Sequence, residues 1–594
     1  MCGIWAFLNL IKQNNGAMPN YSYTQQFADF MNMKARGPDS TDFQIIKNLS
    51  VGFHRLAIME PSIHANQPYI IKDNERTVVF VCNGEIYDFK ELIQKYDLPI
   101  HNNADCMTLL QLYLKYVKHN SSGKNDVSHF TELFSYQIKG EYAFLLFEFD
   151  RLMNLKEVIV GRDSLGIRPL YWGFEYNVPM VTNPNYTSLI FGSEIKSLVS
   201  FRGHVKEFEP GTIKHFSLDA IGNVNYEKEH DFKTIYNVVP MNEKFIKNVE
   251  ETEQMLLTKV RNAVINAVKR RLLSDKPLAF LLSGGADSSI VSALSRKLLG
   301  TPINTYCCAI SNESTDLLNA RIVAKHIKSN HTEIIVSEQD AVSRIRKVIF
   351  DTETWDTTSC RASTGQSIVC DYIGKNTDAR VILCGEGPDE YASSYLHQWY
   401  APSGQALHDS AMEYIKEIHA FDVKRADRNI SAASCEGRVP LLDPDVISTY
   451  WEIPSEWRKP TYKNMEKWWL RKAFDGTGLL PDSILFRKKE AFSDGISSQT
   501  AGKSWFQILQ DFVETQISDE EFNSMNEFNC PTKEAYYYMK IFIEFFGKER
   551  VGIIPHYWQP KFKADGSIVD FYDKSSYQDP SARTLNIYKE VSHK

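Results

Sequence analysis

Leu278-Ala279-Phe280-Leu281-Leu282-Ser283-Gly284-Gly285-Ala286-Asp287-Ser288-Ser289 decides how the second half of this chain is read. Five consecutive apolar residues suit a strand buried on both faces. Residues 289–299 then follow helical spacing. Two glycines lie in the turn between them, where backbone N–H groups can come close to an anion. The helix that follows offers unpaired N–H donors and the positive end of its dipole. The hydroxyls of Ser283, Ser288 and Ser289 add further donors. Asp287 alone would repel a phosphate, so it makes sense as a ligand of a magnesium ion held between phosphates. The competing view is a Ser/Asp-rich helix cap. Two glycines directly after a buried strand weigh against it.

Moving outward, the same grammar recurs. Val381-Ile382-Leu383-Cys384-Gly385-Glu386-Gly387-Pro388-Asp389-Glu390 is another apolar strand running into a glycine-rich loop, here with three carboxylates. In a parallel sheet, loops at the carboxyl ends of neighbouring strands meet at the ligand crevice. Asp389 would then share magnesium with Asp287, and Glu386 would orient a reacting group or act as a base. Lys467 and Arg471 are candidates to balance phosphate charge, although a helix lysine is more often solvated. Helical spacing at Met255, Leu256, Val260, Val264 and Val268, and an apolar strand at 306–310, complete an alternation of helix and strand. This alternation predicts a doubly wound, mostly parallel α/β sheet over 251–556. The first loop lacks the lysine of Gly-x-x-x-x-Gly-Lys-Ser/Thr, which disfavours γ-phosphate transfer. It resembles the pyrophosphate loop of enzymes that cleave ATP to AMP and pyrophosphate.

Residues 2–205 read differently. Short apolar runs at 78–82, 143–147 and 158–160, bounded by Gly, Asn or Asp, suit buried strands. Helices are expected near 23–33 and 106–116. Residues 206–250 are polar with little periodicity and read as a crossover, and 557–594 as a polar C-terminal tail. Cys2 stands out. Removal of Met1 would leave one residue carrying a thiol and an α-amine, whose pKa of ~7.7–8.0 suits a general base. A cysteine at position 2 means little alone.

With 594 residues, 43% hydrophobic and 24% charged, the composition is that of a multidomain globular protein. A net charge of −7 argues against non-specific nucleic-acid binding. No apolar run reaches the ~20 residues of a membrane span. Ten scattered cysteines form no Cys-x-x-Cys, so zinc and disulfide frameworks are not expected. With no signal-peptide pattern, a cytoplasmic location is the expectation.

The blocks Cys2-Gly3-Ile4, Arg36-Gly37-Pro38-Asp39, His54-Arg55-Leu56-Ala57-Ile58, Asn83-Gly84-Glu85, Asp105-Cys106 and Gly161-Arg162-Asp163 through Tyr171 resemble the glutaminase domain of class II glutamine amidotransferases. Together with both loops, Glu436-Gly437-Arg438-Val439-Pro440, Phe492-Ser493-Asp494-Gly495, Thr532-Lys533-Glu534 and Asp579-Pro580-Ser581, the chain is similar to the asparagine synthetase family over residues 2–586. The resemblance implies an α+β N-terminal-nucleophile αββα sandwich followed by a pyrophosphate-loop ATPase domain. It implies glutamine, aspartate and ATP as small-molecule partners, magnesium with the ATP, and homodimerisation as a common state. Cys2 would attack glutamine, with Asn83 and Gly84 as oxyanion hole. Glutamine would be bound by Arg55, Leu56, Ala57, Ile58, Met59, Glu85 and Asp105. Leu281, Ser283, Gly284, Gly285, Asp287, Ser288, Ser289, Ala309, Cys384 and Gly385 would bind ATP. Glu386 and Lys467 would act on the adenylate step, and a buried tunnel would carry ammonia. Arg361 is a candidate for aspartate recognition. An amidotransferase acting on another carboxylate, or a non-catalytic sensor, are the alternatives. The chain departs from the family pattern at Ala286, Cys384, Pro388, Ser393-Ser394 and Met107. Pro388 has no N–H, so a phosphate-facing donor there is expected to be lost.

Overall fold

A computed structural model describes residues 1–10, 21–99, 103–117, 126–176, 186–219, 224–487, 495–497 and 503–576. The blocks at 492–494 and 579–584 lie outside the described residues. The chain divides into two compact units, Met1–Thr234 with Ser274–Lys276 and Ser434–Glu436, and the remainder from Ile235 onward.

Two six-stranded sheets build the first unit. One runs, in spatial order, His204–Glu207, Tyr171–Tyr176, Tyr186–Gly192, Gly3–Asn9, Leu49–Arg55 and Ser40–Ile46. Its pairs are antiparallel, and Gly3 faces His54 across the ladder. The other runs Val224–Asp231, Thr212–Leu218, Leu155–Arg162, Gly140–Asp150, Arg76–Ile86 and Tyr69–Lys72, also antiparallel. Inward side chains of both sheets share one core: Ile4, Ala6, Val51 and Phe191 from the first, Val79, Val81, Leu145 and Val160 from the second. Burial on both faces explains the near-continuous apolar runs of the sequence.

Helices cover the outer faces. Phe30 of helix Tyr23–Met31 stacks on His54 at 3.9 Å, and Phe134 of helix Ser128–Tyr136 stacks on Phe144 at 5.5 Å. The helix expected near 106–116 is Met107–Tyr116. The stretch 206–250, read as a crossover, instead carries the strands Thr212–Leu218 and Val224–Asp231. The latter lies at the sheet edge, where a solvated, charged strand is favoured, and its polar sequence hid it.

In the second unit, Asn330–Ile335, Asn304–Ala309, Leu278–Leu281 and Val381–Leu383 form a parallel sheet, closed by short Glu436–Arg438. Strand order reverses between Leu278–Leu281 and Val381–Leu383, so their carboxyl-end loops diverge around a crevice. The long helix Val249–Arg271 is started by the Asn248 side chain, which accepts from Glu251 N at 3.2 Å. Its last turn is tied down by Asp443, which receives Arg271 Nη1 at 2.6 Å. The segment read as a polar tail is packed over its first part. Tyr557 lies edge-on to Trp355, Trp558 N donates to Asp356, and Phe562 and Phe571 are buried. Aromatics spaced among polar residues anchor it. No described helix is long and apolar enough to cross a membrane.

Candidate functional site: a thiol centre and a phosphate crevice

Cys2 precedes the central strand Gly3–Asn9. Its Sγ points at Leu56 O, 3.7 Å away, and its carbonyl accepts Arg36 Nε at 2.9 Å. Burial pushes the thiol up to about 11, so it is neutral at pH 7 with Met1 attached. The Cys2 nitrogen is then an amide and cannot act as a base. The residues expected around glutamine gather at the ends of two strands. Leu56, Ala57, Ile58 and Met59 follow strand Leu49–Arg55 and are buried. Ala57 N donates to Asp39 Oδ2 at 2.8 Å. Arg55 does not stand open: its guanidinium donates to Ser62 O, Asn66 Oδ1 and Glu60 O, shaping the loop that follows.

Asn83, Gly84 and Glu85 sit on strand Arg76–Ile86. Asn83 is fully buried, and both atoms of its amide lack a hydrogen-bond partner among the described residues. Leaving such a group dry costs about 1–3 kcal/mol. A Cβ at Gly84 would meet Glu141 O at 2.4 Å, so no other residue fits without moving the neighbouring strand. Asp105 Oδ2 accepts from Ile86 N at 2.7 Å, which brings this carboxyl beside the same strand end. Burial raises it to about 6.

In the second unit the glycine-rich turn is self-supporting. Ser283 Oγ accepts from Gly285 N at 3.3 Å and lies 3.1 Å from Ser288 Oγ. Gly284 has φ +73°, and a Cβ there would strike the backbone of Asn319 and Ala320 at 2.5 Å. Leu281 and Ala309 end adjacent parallel strands. Ser289, expected to point to phosphate, is instead fully buried in helix Ala286–Leu299. Its hydroxyl is buried with no hydrogen-bond partner among the described residues. Ser283 and Ser288, by contrast, are half-buried.

The acidic loop closes directly on this turn. A Cβ on Gly385 would approach Ser288 N to 2.6 Å. Cys384 is buried, with its N donating to Arg438 O at 3.1 Å. Pro388 opens a short helix, Pro388–Tyr391, where a missing N–H has no intrahelical partner to lose. Lys467 then joins the two loops, with Nζ 2.5 Å from Asp287 Oδ2 and 2.7 Å from Asp389 Oδ1. It is 5% exposed and not solvated. Burial alone would lower its pKa, but the two carboxylates raise it. Its φ of +52° is unusual for a side chain of this size and is held by the surrounding contacts. Among the described residues no cluster of three or more His, Cys, Asp or Glu could hold a metal.

Two charged groups here were not anticipated. Arg425 donates to both oxygens of Glu386, at 3.2 and 2.7 Å, and to Asp422 at 2.7 Å. Burial raises the Glu386 carboxyl, and Arg425 limits that rise. Arg487 donates to Gly284 O at 3.3 Å. Neither lies in a glycine-rich or acidic motif, so only tertiary contact reveals them. Arg471 is held by Glu466 and Leu485 O, so its guanidinium is already engaged. Arg361 forms a two-point pair with Glu534, at 2.8 and 2.5 Å, and carries a buried ion pair in place of an open cation.

One unit thus holds Cys2 beside Leu56 and, at the end of another strand, Asn83 and the Asp105 carboxyl, and the other holds two glycine-rich loops joined by Lys467. Comparison agrees: a glutamine amidotransferase domain matches residues 1–256, and asparagine synthase matches 259–408 and 397–559. The chain is 36% identical to the asparagine synthetase [glutamine-hydrolyzing] of Rattus norvegicus, and 34% to those of Cricetulus griseus and Homo sapiens, each alignment covering 100% of both proteins. It belongs to the asparagine synthase family.

Proposed function

We propose that the chain makes asparagine from aspartate and ATP, with glutamine as nitrogen donor, releasing glutamate, AMP and pyrophosphate. The observation that carries this is the Lys467 bridge between two glycine-rich loops, in a chain that also has a buried unpartnered amide beside a cysteine strand. The first unit is read as an N-terminal-nucleophile αββα sandwich, the second as a doubly wound pyrophosphate-loop domain. Once Met1 is removed, the Cys2 amine takes the thiol proton and Sγ attacks the glutamine amide carbon. Asn83 and the backbone at Gly84 stabilise the oxyanion. Ammonia leaves and a γ-glutamyl thioester remains, which water hydrolyses. Asp105 and Glu85 face the substrate ammonium, and Arg55 orders the loop that closes over it and meets the α-carboxylate.

Aspartate's β-carboxylate attacks the α-phosphorus, expelling pyrophosphate and giving β-aspartyl-AMP. Ammonia attacks the acyl carbon, AMP departs, and Glu386 accepts the surplus proton, a role its raised pKa favours. Lys467 meets the charge growing on the leaving pyrophosphate. Asp287 and Asp389 suit magnesium that arrives with ATP, because they are hard oxygen donors and Asp287 Oδ1 is buried without a partner. The ion would neutralise phosphate charge. No disulfide joins the cysteines among the described residues, which supports a cytoplasmic location. Incubation with aspartate, MgATP and glutamine should yield asparagine, AMP and pyrophosphate in equal amounts. ADP as the nucleotide product would overturn this reading.

A further inference from the structure

The Lys467 bridge leaves a charge problem. One ammonium shared by two carboxylates is net negative, yet a triphosphate has to settle there. The same unit keeps a buried cation with no hydrogen-bond partner among the described residues. Arg458 ends the short helix Ser455–Arg458 and is 4% exposed. Nε, Nη1 and Nη2 are all buried, and none has a hydrogen-bond partner among the described residues. Three other buried arginines of this unit are paired with carboxylates: Arg271 with Asp443, Arg428 with Glu353 and Asp427, Arg425 with Glu386. Burying an unpaired charge is costly, so a fold that keeps one has a use for it.

Its surroundings tie it to the crevice. Trp457, the preceding residue, stacks on Trp469 at 6.2 Å, and Trp469 Nε1 donates to Trp457 O. Trp469 is two residues beyond Lys467. Tyr450 and Tyr391 meet edge to face at 5.3 Å, and both hydroxyls are buried without a partner. Tyr391 belongs to the same short helix as Asp389. Arg458, Lys467, Arg471 and Asp287 all act electrostatically on Tyr450. Burial lowers the guanidinium to about 10, so it is still charged at neutral pH.

We infer that Arg458 is a second cation of the phosphate crevice, a positioning residue whose unpartnered charge, next to Tyr450, favours the pyrophosphate portion of the nucleotide. In a poorly polarisable interior its field reaches the crevice with little screening. This rests on the reading of the second unit as an AMP- and pyrophosphate-forming site.

The test uses the full-length enzyme with Arg458→Met, which keeps bulk but removes charge, and Arg458→Lys, which keeps charge. Titration calorimetry with inorganic pyrophosphate and magnesium measures binding without turnover. Arg458→Met should weaken pyrophosphate about tenfold or more, leave AMP binding and glutamate release from glutamine unchanged, and hold or raise the melting temperature. Arg458→Lys should recover part of the affinity. Tyr450→Phe gives a milder loss and serves if Arg458→Met does not fold. Equal pyrophosphate binding by wild type and Arg458→Met, or identical behaviour of Met and Lys variants, overturns the inference. Wild type that binds pyrophosphate but forms ADP would instead sink the proposed reaction while the binding comparison still decides Arg458.

Discussion

Asn83 is one residue on which chemistry can be read from burial alone. Its carboxamide is sealed in a sheet with neither oxygen nor nitrogen bonded among the described residues, which suits the oxyanion role proposed for it. Asn83→Ala should reduce glutamate release roughly 10²–10³-fold in kcat while ammonia-dependent synthesis persists. Asp105 gives a pH signature. Its carboxyl titrates near about 6, above its ordinary range, because burial disfavours the charged form. The ionised form is the one that binds an ammonium, so the KM for glutamine should climb as pH falls below 6. Asp105→Asn should show a high KM with that limb gone. The same shift means the folded state is favoured below pH 4 and loses this contribution as pH rises through 6.

Elements carry a second layer of prediction. The two loops of the crevice pack closely because Gly385 has no side chain. Gly385→Ala would force a Cβ to within 2.6 Å of Ser288 N, so the loops must separate. Pyrophosphate release should fall at least about tenfold, with glutamate release unchanged, in paired assays. At the other end of the unit, Asp443 caps helix Pro444–Trp451 and clamps the end of Val249–Arg271. Burial pushes its carboxyl up, but Arg271 and Arg270 outweigh that and hold it at about 2. That stability is present above the ordinary Asp range and is lost as pH falls toward 2. Asp443→Asn strands buried guanidinium charge and should cost about 3–5 kcal/mol, visible in denaturant midpoints at pH 7.

For the whole molecule, the two chemistries should separate cleanly by mutation. Cys2→Ala should abolish glutamine-dependent synthesis yet retain synthesis from ammonium chloride. Lys467→Met should do the reverse, keeping glutaminase activity and losing AMP formation by ~10³-fold. Assaying glutamate, AMP and asparagine in the same samples checks both, and loss of all three products in either variant would contradict the separation.

The chain itself determined a good deal. Strand-glycine-glycine and strand-glycine-acid patterns located both loops, because backbone approach to an anion demands glycine and the following helix supplies the donors. Unbroken apolar runs marked the buried strands, because side chains covered on both faces must all be apolar. What those rules cannot express came only with tertiary structure. The edge strand Val224–Asp231 is too polar to read as a strand until its neighbour pairs with it. The packing of residues 557–571 depends on where Trp355 and Leu407 lie. Arg425 meeting Glu386, Arg361 committed to Glu534, Ser289 buried and Arg458 left without a hydrogen-bond partner among the described residues are relations between distant residues. A charged side chain looks the same in sequence whether it is solvated, paired or waiting, since its energy is set by the partners and the water that folding brings or removes.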